Sequence, residues 1–566
     1  MKLNKILTLG TITFSFFTAT SKILEAAHPL NLYSREASGA NGVVAAAKPE
    51  ASQVGIDILK KGGNAVDAAI ATAFAIGVLE PNASGIGGGG FIVVRMAKTG
   101  KTVIIDYRET APGAATPNMY TLDENGKVVN NEITVGGKAV GVPGNVAGLL
   151  TTLEKYGTMK RQDVMKPAIE YAEKGIPVTP NLASIITDNY DKLVKFDAAS
   201  QIYLKDGLPY EVGDTIVQKD LAETLKKISK NGKDAFYTGD IAKRIAEEVQ
   251  KQGGIITEED LKNYKVIERE PLSGTYRDYT IISCPPASSG GTHIVQLLNM
   301  VENYDLKSMG DNTPEAWHVW AESMRQMFAD RAEYMGDTAF VDVPLKGLTS
   351  KEYAKELVSK IDLSKPGMDL KAGDPSKYES GSTTHFSVMD KEGNMVAVTQ
   401  TINYFFGSGV TVPGLGIILN NEMDDFVPAP GSKNSVEPGK RPLSSMSPTL
   451  VLDPQGRPFM TVGSPGATRI IPAVAMTISN VIDHGMTIQE AINAPRITQF
   501  QAGTLKSEGK VSLNSYNGLK NIGHEVEVKS DYDPYFGGVH AVMMDYKTKT
   551  LHGGADPRRD GQAVGF

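Results

Sequence analysis

The sequence predicts a mixed α/β (α+β) chain folded as a four-layer αββα sandwich. Three observations point there. A β-hairpin pattern at 383–403 stands in the second half of the 566 residues. Strand and helix patterns lie on both sides of it, so both pieces of the chain contribute to one shared core. Directly before the hairpin, Leu363 to Ser382 holds Pro366, Gly367, Gly373, Pro375 and Gly381 among many Lys and Ser, the composition of an exposed connection.

The elements follow in order. Lys2 and Lys5 precede the short apolar run Ile6 to Phe17, the layout of a secretory signal over 1–27. Ala19-Thr20-Ser21 offers cleavage after Ser21, and Ala26-Ala27 is a second option; the competing reading is a buried N-terminal helix. The run is too short to span a bilayer comfortably, so the mature protein is expected to be exported, periplasmic or secreted. Gly42 to Ala47 reads as a buried strand. Pro49 opens a helix with Val54, Ile58 and Leu59 at helical spacing, ended by Gly62-Gly63. Asn64 caps a second helix, Ala65 to about Leu79, which is apolar on nearly every side and therefore central.

Ser84-Gly85-Ile86-Gly87-Gly88-Gly89-Gly90-Phe91 contains a formal GxGxxG. It follows a helix and opens a strand, the reverse of the dinucleotide-binding context, so it reads as a turn where backbones pack closely or a ligand touches the backbone. Thr102 to Arg108 is the next strand. Arg108, at its end, is either a structural ion pair or a carboxylate clamp, because a planar guanidinium takes two oxygens. The middle third is largely helical. Its strongest helix is Pro314 to Met335, with Thr313 as N-cap and Trp317, Trp320, Met324 and Phe328 as a core stripe. Met460 to Gly463 runs as a strand into the Ser464-Pro465-Gly466-Ala467 turn, and the helix Ile470 to Asp483 follows.

Net charge is −7, from 65 acidic and 58 basic residues, which gives no support to a nucleic-acid or anionic-membrane partner. The single cysteine, Cys284, excludes an intrachain disulfide. Eight histidines show no HxxxH spacing, so no metal site and no cofactor are expected.

The chemistry concentrates at Thr383. A Thr that opens a strand directly after a cleavable loop suits an N-terminal-nucleophile hydrolase. Cleavage between Ser382 and Thr383 frees an α-amine, which then serves as general base for the Thr hydroxyl. The hairpin turn centres near Glu392-Gly393, so partner positions sum to about 785 and Thr383 falls opposite Thr401 or Ile402. Thr401, and Asn403 on the same face, come within reach of the Thr383 hydroxyl. Thr is also simply favoured in strands, so the hairpin alone is a weak signal.

Further motifs make the chain resemble the γ-glutamyltranspeptidase family over nearly its whole mature length. They are Gly62 to Ala69, Asp106-Tyr107-Arg108-Glu109-Thr110-Ala111-Pro112, Thr383-Thr384-His385-Phe386-Ser387-Val388, Leu419 to Phe426, Lys440 to Pro448, and Gly463-Ser464-Pro465-Gly466. The resemblance implies an αββα sandwich formed jointly by two chains cut from one precursor, 28–382 and 383–566, associated as a heterodimer. It implies Thr383 as nucleophile and Thr401 as its hydroxyl partner. Arg108, Ser444 and Ser445 would contact the substrate α-carboxylate, and Asn403, Glu422 and Asp425 the α-amino group. Gly466 and Ala467 would supply the oxyanion hole. Ala467 stands where relatives have a second Gly; since the contact is a backbone N–H, Ala fits there with a negative φ. Only Val427 to Lys440 separates the Asp-Asp-Phe and Arg-Pro-Leu-Ser-Ser motifs, which resembles the lidless bacterial subgroup. The implied substrates are glutathione and other γ-glutamyl compounds, with amino acid, peptide or water acceptors. Related readings are a polyglutamate amidohydrolase, a glutaryl amidohydrolase, on which an ammonium-binding acidic pair would be wasted, and a non-enzymatic exported binding protein, which would need no cleavage before Thr383.

Overall fold

The computed structural model describes residues 35–367 and 382–566. The signal-like segment and most of the connection before Ser382 lie outside these residues. Two seven-stranded antiparallel sheets form the centre. The first runs, edge to edge, through Gln562–Gly565, Gly42–Ala46, Thr384–Asp390, Met395–Thr401, Gly89–Arg95, Thr102–Asp106 and Ile267–Arg269. The second runs through Ala37–Gly39, Thr550–Ala555, His540–Asp545, Pro458–Gly463, Thr449–Leu452, Tyr279–Ser283 and Leu272–Tyr276.

Side-chain alternation sets the layers. In Gly42–Ala46, Val43 and Ala45 join a cluster with Val462, Ala541 and Val542 of the facing sheet. Val44 and Ala46 turn the other way, into a cluster with the helices Pro49–Lys60 and Ala65–Leu79. That period of two assigns one face of the strand to each neighbouring layer. Strands buried on both faces read as continuous apolar runs, which is why the Val/Ala/Ile strands here show no polar alternation. On the outer face of the second sheet pack Gly290–Val301, Pro314–Tyr334 and Ile470–Ile482. The order is helix, sheet, sheet, helix.

The helix ends follow local chemistry. The Asn64 side chain accepts from Val66 and Asp67 amides, and Asp67 reaches back to the Asn64 amide, closing a capping box. Thr313 caps Pro314–Tyr334 by accepting from the Ala316 amide. Trp317, Trp320, Met324 and Phe328 are all buried, as a core stripe requires.

The first sheet is interlocked across Ser382–Thr383. Strand Thr384–Asp390 pairs on one side with Gly42–Ala46 and on the other with Met395–Thr401. Strands from before the junction and strands from after it are therefore interleaved within one hydrogen-bonded sheet.

Candidate active site

The hairpin register places Thr384 opposite Gln400, so Thr383, one step earlier, lies across from Thr401. Its hydroxyl is 3.1 Å from the Thr401 hydroxyl, in a buried setting. Thr401 Oγ1 accepts a 2.8 Å bond from the Asn403 amide, which leaves its proton free to point at the Thr383 oxygen. Asn403 achieves this with a left-handed φ of 69°, a conformation Asn tolerates better than most residues. Its side chain donates to the Asn421 carbonyl at 3.1 Å.

Thr383 itself has φ 111°. For a β-branched residue this is an outlier that costs on the order of 1–3 kcal/mol and is held in place by its surroundings. Here the uncut peptide bond to the buried Ser382 and the hairpin beyond it hold the strain at the junction where cleavage is expected.

The glycine run supports the same corner. A Cβ at Gly88 would lie 1.9 Å from the Thr401 carbonyl oxygen, and one at Gly87 would lie 2.0 Å from that of Ile418. The turn thus packs backbone on backbone beneath Thr401, the reading favoured over a nucleotide loop. Asn420 ties this turn to the acidic segment. It donates to the Gly87 and Gly141 carbonyls at 2.8 and 2.9 Å, and it accepts from the Glu422 amide at 3.0 Å.

Arg108 lies two residues beyond its strand, which ends at Asp106, and its amide is fixed by the Asp106 carboxylate at 2.9 Å. Its guanidinium is buried and hydrogen-bonds both Glu422 and Asp425. Its Nε donates to the Pro442 carbonyl at 3.3 Å and one terminal nitrogen to that of Leu443 at 3.4 Å. The residues expected to divide a zwitterion between them are thus paired with each other. Burial alone would lower the Arg108 pKa, but Glu422 and Asp425 hold it above its ordinary value.

Glu109, not among the sequence-derived site residues, is fully buried with a carboxylate oxygen 3.8 Å from Arg108. Burial pushes its pKa up to about 7. Burial also raises Glu422 well above the carboxylate range, and the charges of Glu109 and Asp425 add to it. The two titrate as a pair. The only signal for Glu109 was its place beside Arg108 in the Asp106 to Pro112 motif.

Ser444 and Ser445 sit on the far wall. The Ser444 carbonyl accepts from the Ser289 amide and hydroxyl at 2.8 and 2.7 Å, and Ser445 Oγ accepts from Arg331 at 3.0 Å. Arg331 is a second residue that sequence patterns missed, because it lies on a helix read only for its apolar stripe. Gly466 and Ala467, the pair expected to supply the oxyanion hole, stand at the turn leading into Ile470–Ile482, with amides near a helix N-terminus. The condition of a negative φ for Ala at this position is not met. Ala467 has φ 52° rather than a negative value, next to Gly466 at 127°. The turn that reverses the chain between strand and helix imposes the left-handed conformation, and Ala carries a Cβ there at a cost of roughly 1 kcal/mol.

One cleft of about 410 Å³ is lined by Arg108, Thr383, Thr401, Asn403, Glu422, Asp425, Ser444, Ser445 and Ala467. Gly466 is not among its lining residues. Val427, Ser432 and Asn434 form part of its rim. That connection is short and self-pinned: Asn434 donates to the Asp425 carbonyl at 2.6 Å and accepts from the Leu443 amide at 3.0 Å.

A hydroxyl pair at the start of a strand, facing a cleft lined by the Arg108 and Arg331 guanidiniums and several carboxylates within a double-sheet αββα core, defines a Thr-nucleophile hydrolase of the N-terminal class. Comparison with known proteins gives the family. The gamma-glutamyltranspeptidase family profile matches residues 51–566, and the chain belongs to that family. It is 44% identical over 545 residues to a glutathione hydrolase proenzyme of Bacillus subtilis, covering 93% of this chain and 92% of that one. Among solved structures, cephalosporin acylase from Bacillus halodurans superposes with a TM-score of 0.85 at 31% identity, covering 94% of this chain and 97% of that one. A solved chain of Helicobacter pylori gamma-glutamyltranspeptidase is 45% identical with a TM-score of 0.54, covering 58% of this chain and 96% of its own.

Proposed function

We propose that this chain is a self-processing γ-glutamyltransferase and glutathione hydrolase. The observation that carries the reading is the Thr383–Thr401 hydroxyl pair, 3.1 Å apart, in one cleft with Arg108, Glu422 and Asp425. In the precursor the Thr383 oxygen attacks the Ser382 carbonyl carbon, the amide C–N bond breaks, and an ester forms as the nitrogen takes up the proton. Water then hydrolyses the ester, giving a Ser382 carboxylate and a Thr383 with a free α-amine. The pieces, 28–382 and 383–566, stay together as large and small subunits because each contributes strands to the first sheet.

In the mature enzyme the α-amine, with a reference pKa near 8, takes the Thr383 hydroxyl proton as the oxygen attacks the γ-carbonyl. The Gly466 and Ala467 amides stabilise the oxyanion. Collapse expels the amine half of the substrate with that proton and leaves a γ-glutamyl ester on Thr383. Water gives glutamate, and an amino acid or peptide amine gives a new γ-glutamyl amide. The substrate α-carboxylate goes to Arg108 with Ser444 and Ser445, and its ammonium to Glu422, Asp425 and Asn403. A glutaryl acyl group would leave the acidic pair without a cation, which ranks the acylase reading second. The Lys2/Lys5 and apolar-run pattern supports export. Among the described residues no helix is long and apolar enough to cross a membrane.

The test is Thr383→Ala. We expect one full-length, inactive chain on a denaturing gel, where wild type gives two. Splitting at the same bond in the variant would remove Thr383 as nucleophile.

A further inference from the structure

Away from the cleft, three side chains converge in the outer helical layer. His318 and Glu322 lie one turn apart on the same face of Pro314–Tyr334. His524 follows Gly523, which ends the helix Leu513–Ile522 with φ 111°. The two helices meet closely: a Cβ on Gly518 would lie 2.2 Å from Pro314 Cγ. This brings His524 Nε2 to 2.7 Å from His318 Nδ1. The three side chains are 1%, 5% and 6% exposed for His318, His524 and Glu322, and their donor atoms all lie within 4.8 Å of one another.

The hydrogen bonds around the cluster fix its chemistry. His318 Nε2 is 2.9 Å from the Asp362 carbonyl. A carbonyl only accepts, so Nε2 carries the proton and Nδ1 presents a lone pair toward His524 and Glu322. A backbone carbonyl on the remote ring nitrogen is how metal-binding histidines are commonly oriented. Glu322 is oriented too, by the Gly367 amide at 2.8 Å and Arg325 at 3.3 Å.

We propose that His318, Glu322 and His524 form a binding site for a zinc-class divalent cation, with water in the fourth position. Two imidazoles and one carboxylate suit zinc, cobalt or nickel and not magnesium or calcium, which take oxygen donors. Tetrahedral ligation with metal–nitrogen bonds of about 2.0–2.1 Å sets the two ring nitrogens roughly 3.3 Å apart. The ion therefore replaces the shared proton by opening the pair about half an ångström. Two ligands precede the Ser382–Thr383 junction and one follows it, so after cleavage the ion joins both chains. It also anchors Asp362 to Gly367, the stretch that leads into the severed connection. Arg325 beside Glu322 opposes the added charge and weakens the site relative to one built from anionic ligands alone. The sequence pattern missed it because the ligands are a His-x3-Glu pair and a histidine some two hundred residues away.

The probe is Co²⁺, added to chelator-treated, desalted mature enzyme and followed by visible ligand-field absorption. One equivalent should saturate the band, Zn²⁺ should abolish it, and the same concentration of Mg²⁺ or Ca²⁺ should not. Saturating Zn²⁺ should raise the melting temperature by about 2 °C or more. His524→Asn, and separately Glu322→Gln, should weaken Co²⁺ binding at least tenfold, since loss of even an outer partner of a metal ligand costs about 10–100-fold. Glu322→Gln is isosteric and keeps an acceptor for the Gly367 amide, so normal splitting before Thr383 shows that the variant folds. No band in wild type, or equal Co²⁺ uptake by wild type and both variants, would overturn the proposal.

Discussion

Arg108→Lys separates the substrate clamp from the structural ion pair. The Arg108 guanidinium reaches Glu422, Asp425 and two backbone carbonyls from one planar group. Lys keeps the charge, so Glu422 and Glu109 are not left buried beside no cation; Arg108→Ala would do that at about 3–5 kcal/mol and confuse unfolding with catalysis. What Lys loses is the fork. A charge-assisted hydrogen bond to the substrate carboxylate is worth about 1.5–3 kcal/mol, or roughly one to two decades in rate at 1.36 kcal/mol per decade. A head group held at one point rather than two also misplaces the γ-carbonyl relative to Thr383, which adds about another decade. We therefore expect kcat/KM for glutathione to fall by about two to three orders of magnitude. Self-cleavage should survive, because it uses no external carboxylate. Steady-state glutathione hydrolysis and a denaturing gel read the two effects separately. Near-normal kinetics in the Arg108→Lys enzyme would return Arg108 to a purely structural role.

Other expectations follow from the same site. Burial pushes the Glu109 pKa up to about 7 and raises Glu422 as well, so the pair holds a proton near pH 6; an arriving ammonium favours their ionised forms, so L-glutamate binding should release a proton near pH 6. Calorimetry in buffers of different ionisation enthalpy measures this, and a binding heat independent of buffer at pH 6 would contradict it. Ala467→Gly relaxes a left-handed alanine while keeping the N–H, so kcat should stay within about threefold; a tenfold loss would mean the methyl shapes the oxyanion site. Asp425→Asn should cut kcat/KM for γ-glutamyl amides by about tenfold or more and affect glutaryl amides far less, and equal losses on both would remove Asp425 from ammonium binding. Because the Val427 to Lys440 connection is short and pinned by Asn434, oligo-γ-glutamyl donors should be cleaved with kcat/KM similar to glutathione. A steep drop with each added unit would identify another segment that closes the cleft.

The sequence carried the local decisions well. The Asn64 and Thr313 caps, the apolar helix Ala65–Leu79 and the buried strand at Val43 are written in neighbouring residues, and each forms as read. Hairpin pairing is also local, so its turn alone narrowed the partner of Thr383 to Thr401 or Ile402, and the observed register selects Thr401. What could not be read is set by tertiary contact. Nothing near Arg108 in sequence says that its guanidinium meets carboxylates more than three hundred residues away. Nothing near Ala467 announces φ 52°, because the strand-to-helix reversal imposes it. Glu109 entered only as a member of the Asp106 to Pro112 motif, and only burial distinguishes it.

The ion pairs inside the cleft also bear on selectivity. Buried charges persist only when paired, and here one cation faces Glu422, Asp425 and Glu109. A γ-glutamyl head brings one carboxylate and one ammonium, so it can exchange partners with Arg108 and the acids and leave each buried charge compensated. A ligand with only a carboxylate occupies Arg108 and strands Glu422. One with only an amine must compete with Arg108 for the same acids. The pairing of Arg108 with Glu422 and Asp425 thus favours the zwitterion over either half of it, because only the zwitterion replaces both partners of the pair it breaks.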